Sequence, residues 1–505
     1  LYTEDSEYNE MRAGGYGNFL TAAQQARLER LRQATMLYKG QHRQYFLDEG
    51  RTQADFPPMR VGDRMIQPYI TYNALRLVSF KSSDLLLGAE ARIKVSIPAQ
   101  QDSLKRLIEF SCCHQLFYSS SRDGSYQGEQ YIEAILFNGR TALRTVPTEE
   151  IFPIGVMSPD MQFPRYDRYS VQNVGTDKQP IILLLVTSYL PGRIARKLYQ
   201  LADTSEGKPV KTEINLDQWQ LPEGEAPLMP LVNTGIVENT ITWIPNELDG
   251  GCPVSDYDIA IPKQDTLNAK ETQLFRAIAK HADPKMAFPQ LNANGQGNAD
   301  NKDAFFFRTK DDIPQYLQWN AELESAIKER DNALHGLLIA TETSPVLLGM
   351  RDGSGNAAYK KVKVEAMNSL KKAERKSVYW TIGIRRALST AQSLEQTIPG
   401  VRYDREPIGV SLQDGIPLDD LDEANRLAVL RGVGLISLRR GIEAQLDDPA
   451  AVAAELEELA EENAAKAPNV FMGTQMPGSP AGDQSIEAGE ETAATQAAQA
   501  EEAMA

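Results

Sequence analysis

The sequence predicts an α+β chain, and three observations carry that prediction. Long segments repeat apolar residues at steps of three and four, the period of a helix with one buried face. Short runs at 93–97, 141–146, 182–189 and 236–243 are rich in β-branched and aromatic residues and bounded by Pro, Gly or Asn, as strands are. Helical and strand-like runs do not alternate regularly, so the pattern is not a βαβ repeat.

Taken in order, residues 1–20 are polar and glycine-rich and read as an arm. Leu28, Leu31, Ala34 and Leu37, at steps of three, predict a helix within 21–47. The stretch 69–88 predicts a second, closing on Gly88, and further helices are predicted at 103–119 and 127–137. Segment 203–232, rich in Pro, Gly and acid, reads as a surface excursion. Ser255 and Asp258 form a capping-box pattern, Pro262 suits a first helical turn, and Leu267, Leu274 and Ile278 mark one buried side as far as Asp283-Pro284. A short insert, 283–310, holds the turn-forming run 292–301 and a strand-like Phe305-Phe306-Phe307-Arg308.

The stretch 311–390 organises the rest. Tyr316, Trp319, Leu323, Ile327, Leu334 and Leu338 form one apolar stripe of a helix predicted over 313–340, with Asp311, Asp312 and Pro314 at its start. Ser344-Pro345 disfavours its continuation, and Gly349, Gly353 and Gly355 free the backbone that follows. The helical period returns with Tyr359, Val362, Ala366, Leu370, Ala373, Trp380, Ile384 and Ala387. Between them Lys360, Lys361, Lys363, Lys371, Lys372, Arg375, Lys376, Arg385 and Arg386 face only Glu365 and Glu374, which makes this helix +7 in a chain of net charge −16. Lys371, Lys372, Arg375 and Lys376 are expected off the apolar stripe and exposed. Beyond 396, helices are predicted at 418–433, 437–446 and 449–466, with Ser437 and Asp448 as caps, and 467–505 has too few large apolar groups to order itself.

The 505 residues suffice for roughly two to four domains, and 42% hydrophobic content is ordinary for a globular protein. The natural start is expected upstream of Leu1. The longest apolar run, 181–186, is far short of the roughly 20 residues that span a bilayer, so a soluble, unexported chain is expected. Cys112, Cys113 and Cys252 give neither a disulfide framework nor a C-x-x-C metal site and suit a reducing cytoplasm. From 447 onward thirteen acids meet one base, Lys466, so the acidity belongs mainly to the tail.

Catalytic and metal motifs are absent: there is no phosphate loop, no H-E-x-x-H and no G-x-S-x-G, and His42, His114, His281 and His335 are scattered, each reading as a surface or core-edge histidine. Gly353-Ser354-Gly355-Asn356-Ala357-Ala358 matches G-x-G-x-x-A before a helix, with Glu374 where a ribose-binding acid would stand. A poor first strand, Val346-Leu347-Leu348, and a long preceding helix argue against a dinucleotide unit. No catalytic, cofactor-binding or metal residue is expected, and no cofactor.

The order of long helix, short insert, long helix, Gly-Ser turn and long basic helix resembles the middle of bacteriophage portal proteins. Five local motifs agree in order: 73–93, a helix ending in Leu-Gly; 139–153, a sheet segment ending in Phe-Pro-Ile; Ile244-Pro245-Asn246 with Gly251 and Ser255-Asp256; Gly353-Ser354-Gly355 with Ala357; and Gly434-Leu435-Ile436-Ser437. The resemblance spans roughly 30–465; segment 203–232 has no counterpart, and the insert is short.

This resemblance implies a portal-type α+β subunit. Its parts would be a mixed wing (1–254 and the long basic helix, 357–410), a two-helix stem (255–282 and 311–340), a small clip (283–310), a tunnel loop (341–356), a helical crown (411–466) and a disordered acidic tail (467–505). It implies a non-enzymatic ring of about twelve subunits, at one capsid vertex of the virion, assembled in the host cytoplasm. That ring would pass double-stranded DNA during packaging and ejection and dock the terminase large subunit and then head-tail adaptor proteins, beside major capsid and scaffolding proteins, without a membrane. The tunnel-loop residues would be Thr343, Ser344, Leu347, Met350, Arg351, Asp352, Gly353, Ser354 and Gly355; the clip surface Asn294, Asn298, Phe305, Phe307 and Arg308; the basic wing helix Lys360, Lys361, Lys363, Lys371, Lys372, Arg375 and Lys376. Alternatives are a nucleotide-dependent enzyme using the 353–358 turn, or a capsid adaptor without a channel.

Overall fold

The computed structural model describes residues 20–47, 56–61, 64–175, 181–202, 210–221, 227–281, 285–289, 304–307, 315–317, 323–350, 359–413, 415, 420–443 and 449–466. The arm, the acidic tail, the run 292–301, the capping residues Asp311, Asp312, Pro314 and Asp448, and the turn 353–358 lie outside these residues. Two compact units divide the chain, Leu1–Pro417 and Leu418–Ala505.

In the first unit, α1 (Ala22–Tyr38) opens on a capping box in which Thr21 and Gln24 bond each other's backbone, and it buries the four predicted residues Leu28, Leu31, Ala34 and Leu37. Helices α2 (His42–Phe46), α3 (Ala74–Leu87), α4 (Pro98–Phe110) and α5 (Cys113–Gln127) follow. The helix expected at 103–119 is therefore two, broken where Cys112 takes a left-handed φ of 47°. The helix expected at 127–137 is instead the strand Glu129–Phe137, because Gly128, at φ 89°, ends α5 and turns the chain. That strand sits between Ile241–Pro245 and Arg140–Val146 in an antiparallel sheet, where tertiary pairing outweighs local period.

A larger sheet runs Val210–Ile214, Arg193–Ala202, Ile182–Leu190, Arg165–Asn173, Ile151–Ile154, with Leu231–Asn233 also paired to Arg193–Ala202. Segment 203–232 thus returns two strands to this sheet and is more than a surface excursion.

Helix α6 (Ile261–His281) packs beside α7 (Leu323–Ala340), with Leu267, Leu334, Leu337 and Leu338 in one core cluster and ion pairs Lys270–Glu329 at 2.5 Å and Arg330–Glu271 at 3.3 Å across them. Three short strands lie between the two helices in sequence: Lys285–Pro289 pairs parallel with Ala304–Phe307 and antiparallel with Gln315–Leu317. The helix expected from 313 therefore begins only at Leu323, since 315–317 pairs as a strand, and its length is about 27 Å instead of 42 Å. Ahead of α6, Asp258 reaches back to the Ser255 amide at 3.0 Å as the capping pattern required, although the helix itself starts at Ile261.

One face of α6 is polar and buried. Gln264, Asn268 and Thr272, four residues apart and each 0% exposed, accept from the backbone amides of Leu75, Tyr72 and Ile70 at 3.3, 3.0 and 2.9 Å. The Ile70 and Tyr72 amides are thus held in the extended approach and the Leu75 amide in the first helical turn, and α3 begins at Ala74 and not at 69 as the apolar period suggested. His42 belongs to the same network, with Leu37 O at 2.9 Å and Asn268 Nδ2 at 3.0 Å on its two ring nitrogens, and burial pushes its pKa down.

After a 3₁₀ turn (Pro345–Leu348) come α8 (Tyr359–Glu365) and α9 (Met367–Glu395). The predicted stripe holds: Ala366, Ala373, Trp380, Ile384 and Ala387 are all buried, and α9 lies across the three-stranded sheet with Phe117, Ile132 and Ile244. Ile384 and Leu388 each contribute about 1.5–3 kcal/mol by burial. Contact is close enough that a Cβ on Gly383 would fall 2.5 Å from Ile244, so only glycine fits there. In the second unit, α10 (Asp420–Gly432), α11 (Leu438–Glu443) and α12 (Pro449–Lys466) match the three predicted helices, and Ser437 Oγ accepts from the Arg440 amide at 3.3 Å as the expected cap. Among the described residues no helix is long and apolar enough to cross a membrane.

Candidate functional site

The polar groups of the first unit converge where α7 ends and its following turn meets α9. Asp256, on the approach to α6, is 8% exposed as a residue. Lys376 Nζ donates to both its oxygens at 2.8 and 2.6 Å, and Lys372 Nζ lies 3.0 Å from Oδ1. Ser125 Oγ donates to Oδ2 at 2.5 Å and Asn246 Nδ2 to Oδ1 at 3.2 Å. Lys376 also donates to Ser82 Oγ at 2.8 Å, and Lys372 to the carbonyl of Thr341 at 2.7 Å. One carboxylate and two ammoniums thus join α3, α5, the approach to α6, the end of α7 and α9.

Burial alone would raise the Asp256 carboxyl, but the adjoining Lys372 and Lys376 ammoniums reverse the sign and hold it well below the usual carboxylate range. Lys376 is pushed down to about 8, because burial outweighs the attraction of Asp256 and Lys372 repels it. With every group ionised, the cluster carries one positive charge in excess. A second buried cluster stands apart: Glu129 Oε1 accepts from Arg27 at 2.7 Å, and its Oε2 from Tyr131 OH at 2.9 Å and Trp243 Nε1 at 2.8 Å. Its charges balance.

The turn after α7 is tied to the same face of α9. Ser344 N donates to Ser369 Oγ at 2.7 Å, Ser344 Oγ to the carbonyl of Glu365 at 2.8 Å, and Ser369 Oγ to that of Glu342 at 2.8 Å. Glu342 holds a left-handed φ of 53°, and its carboxylate takes Arg375 Nη2 at 2.8 and 3.0 Å while Arg375 Nε donates to Glu247 at 3.1 Å. Gly349, at φ 75°, closes the 3₁₀ turn.

Of the tunnel-loop residues expected from sequence, Thr343 and Ser344 are buried and Leu347 is half-buried, while Met350 is exposed. Val346 and Leu347 pack on Leu85, Ala366 and Ala373 of the same chain, and Leu348 on the α6–α7 core. These three apolar side chains thus have partners within their own chain. Arg351, Asp352, Gly353, Ser354 and Gly355 lie outside the described residues, as do Asn294, Asn298 and Arg308; Phe305 and Phe307 stand in the strand Ala304–Phe307.

The basic-helix expectation needs the larger correction. Lys372 and Lys376, expected exposed, are 8% and 1% exposed. Lys371 and Arg375 are exposed, Lys371 paired with Glu374 at 2.6 Å; Lys361 lies 4.0 Å from Glu365, Lys363 is half-buried, and Lys360 stands in α8. Glu374, the acid required for ribose binding, thus has a lysine partner. Sequence spacing held the missing signal: Lys376 lies three residues after Ala373 and four before Trp380, inside the apolar stripe itself. Asp256 was visible only as part of a motif, with no partner to be read from spacing.

Residues 314–469, which span strand Gln315–Leu317, α7, the loop root, α8, α9 and the three helices of the second unit, match the family model described as Phage portal protein, SPP1 Gp6-like. Over this stretch the chain is similar to phage portal proteins. No curated protein matches the chain. Similar solved structures include a chain described as "Neck of native GTA particle computed with C12 symmetry", 12% identical, covering 78% of this chain and 91% of that one at a TM-score of 0.41. Another is described as "Virion of native gene transfer agent (GTA) particle", 14% identical, covering 73% and 86% at a TM-score of 0.36. The portal match thus falls on the stretch that carries the loop root and two of the three charged groups of the buried cluster.

Proposed function

We propose that this chain is the subunit of a portal ring at one capsid vertex, a structural channel for double-stranded DNA in packaging and ejection. The carrying observation is the portal-family match over 314–469, which coincides with the helix, loop root, long basic helix and terminal helices that the sequence had assigned to the same family. On this reading α6 and α7 are the stem, the strands between them the clip, Thr341 onward the tunnel loop, α8 and α9 part of the wing, and α10 to α12 the crown. The clip docks the terminase large subunit and later the head-tail adaptors.

The basic side chains limit what the channel can do. Two of the strongest candidates for gripping DNA, Lys372 and Lys376, are spent inside the subunit, and Lys371 and Arg375 have acidic partners on their own chain. Such a surface holds phosphate weakly, as a channel that must pass any sequence without stalling requires. Mass measurement on the purified full chain tests the reading. A closed ring of about twelve copies is expected, as for a heterologous interface whose rotation closes; a chain that stays monomeric at every concentration, or grows into open filaments, overturns it.

A further inference from the structure

A Ser-Pro step at the end of a helix, with glycines beyond it, would suit a loop that swings from both ends. The geometry excludes that role for the step. Ser344 is buried and uses both its amide and its hydroxyl on α9 and α8, at 2.7 and 2.8 Å. Thr343 N donates back to the carbonyl of Leu338 at 2.8 Å, and Thr341 is 2% exposed. Freeing this segment would leave several buried polar groups unpaired, at about 1–3 kcal/mol each.

We propose that Asp256 is a positioning residue which, acting through Lys372, clamps the carbonyl of Thr341 and makes the loop root a fixed part of the α9 platform. A lysine ammonium on a flexible four-carbon stem does not by itself choose one acceptor. Asp256 restricts that choice: it is held by Ser125, Asn246 and Lys376, and it draws Lys372 Nζ to 3.0 Å, from where the ammonium also reaches Thr341 O at 2.7 Å. Thr341 directly follows α7, so a cation at its carbonyl also complements the negative end of that helix. Lys376 has a different part. It takes both Asp256 oxygens and Ser82 but makes no hydrogen bond to the loop root, so it anchors the carboxylate and does not touch the clamp.

This rests on the portal reading only in calling the segment a channel loop; the clamp itself is a property of the single chain. Its consequence is that any movement coupled to DNA begins beyond Gly349 or carries α9 with it. Amide hydrogen exchange on the full-length chain tests the clamp. In Lys372→Met the Thr343 and Ser344 amides should exchange about tenfold faster, the effect of one lost hydrogen bond, while the amides of strand Ile182–Leu190 stay as they were. Lys376→Met, which keeps Asp256 beside Lys372, should leave both loop-root amides within twofold of the parent. Should Lys372→Met fail to fold, the double variant Asp256→Asn with Lys376→Met keeps one ammonium without its carboxylate and should show the same loosening. Unchanged exchange at Thr343 and Ser344 in either loosening variant, or equal loosening in Lys376→Met, overturns the proposal. None of these results depends on ring formation, so a failed clamp and a failed portal reading are told apart.

Discussion

Lys371 and Lys372 are neighbours in sequence and opposites in environment. Lys371 stands on the outer face of α9, 63% exposed along its side chain and paired with Glu374; Lys372 stands on the inner face, 10% exposed, against Asp256 and a backbone carbonyl. The two faces carry the same residue type under different physics. On the outer face water screens each charge and a pair is worth a few tenths of a kcal/mol. On the inner face desolvation is severe, and the energy depends on whether every charge keeps a partner. A run of bases on a helix is therefore two populations, and only the phase of each residue relative to the apolar stripe separates them.

The largest expected effect comes from removing the inner carboxylate. Asp256→Asn leaves two buried ammoniums facing each other and should cost about 3–5 kcal/mol in denaturant unfolding. The mirror change, Lys376→Met, removes the surplus charge while Asp256 keeps Lys372, Ser125 and Asn246, and should leave stability within about 1 kcal/mol of the parent or raise it. Equal losses in the two variants would break the asymmetry on which the inner face has been interpreted.

Next comes pH. Lys376 is held down at about 8, below its ordinary value of 10.5, so between these values the unfolded chain binds a proton that the folded cluster rejects. Stability from this group is therefore lowest below pH 8 and rises toward pH 10.5, by up to about 3 kcal/mol. The slope should vanish in Lys376→Met, and comparing the two chains between pH 8 and 9.5 removes the contribution of the buried tyrosines. Asp256 works at the acid end: its stabilisation is complete above the unfolded carboxylate value of about 4 and is lost as pH falls below it.

Gly383 sharpens the same inner face. Alanine there drives a methyl group into Ile244, and despite its better helix propensity should cost about 1–2 kcal/mol net. On the outer face Lys371→Ala should change stability by less than about 0.5 kcal/mol, and added salt should shrink even that.

Much of the architecture was legible because it is periodic. The α9 stripe from Ala366 to Ala387 and the three terminal helices follow from residues spaced at three and four. What was not legible came from partners distant in sequence. Asn268 and Thr272 hold the approach to α3 from about 200 residues away, strand Glu129–Phe137 is decided by neighbours on both sides, and 315–317 leaves its helical period to pair with 285–287. The buried cluster was half legible: Lys376 falls inside the stripe by spacing, whereas Asp256, 120 residues away, needed coordinates. Two fragments singled out only as family wording, Pro245-Asn246 and Ser255-Asp256, acquire a physical role here, since Asn246 and Asp256 bond each other and so connect strand Ile241–Pro245 to the approach of α6.

On the portal reading the loop root stands at the wall of a channel, fixed to α9. An electron-microscopy reconstruction of the assembled full-length particle tests it most directly. The account predicts a closed ring in which Met350 borders the axial opening while Lys372 and Lys376 stay inside their own subunit against Asp256. A ring with that segment on its outer rim, or with those two lysines exposed to the channel, would contradict it.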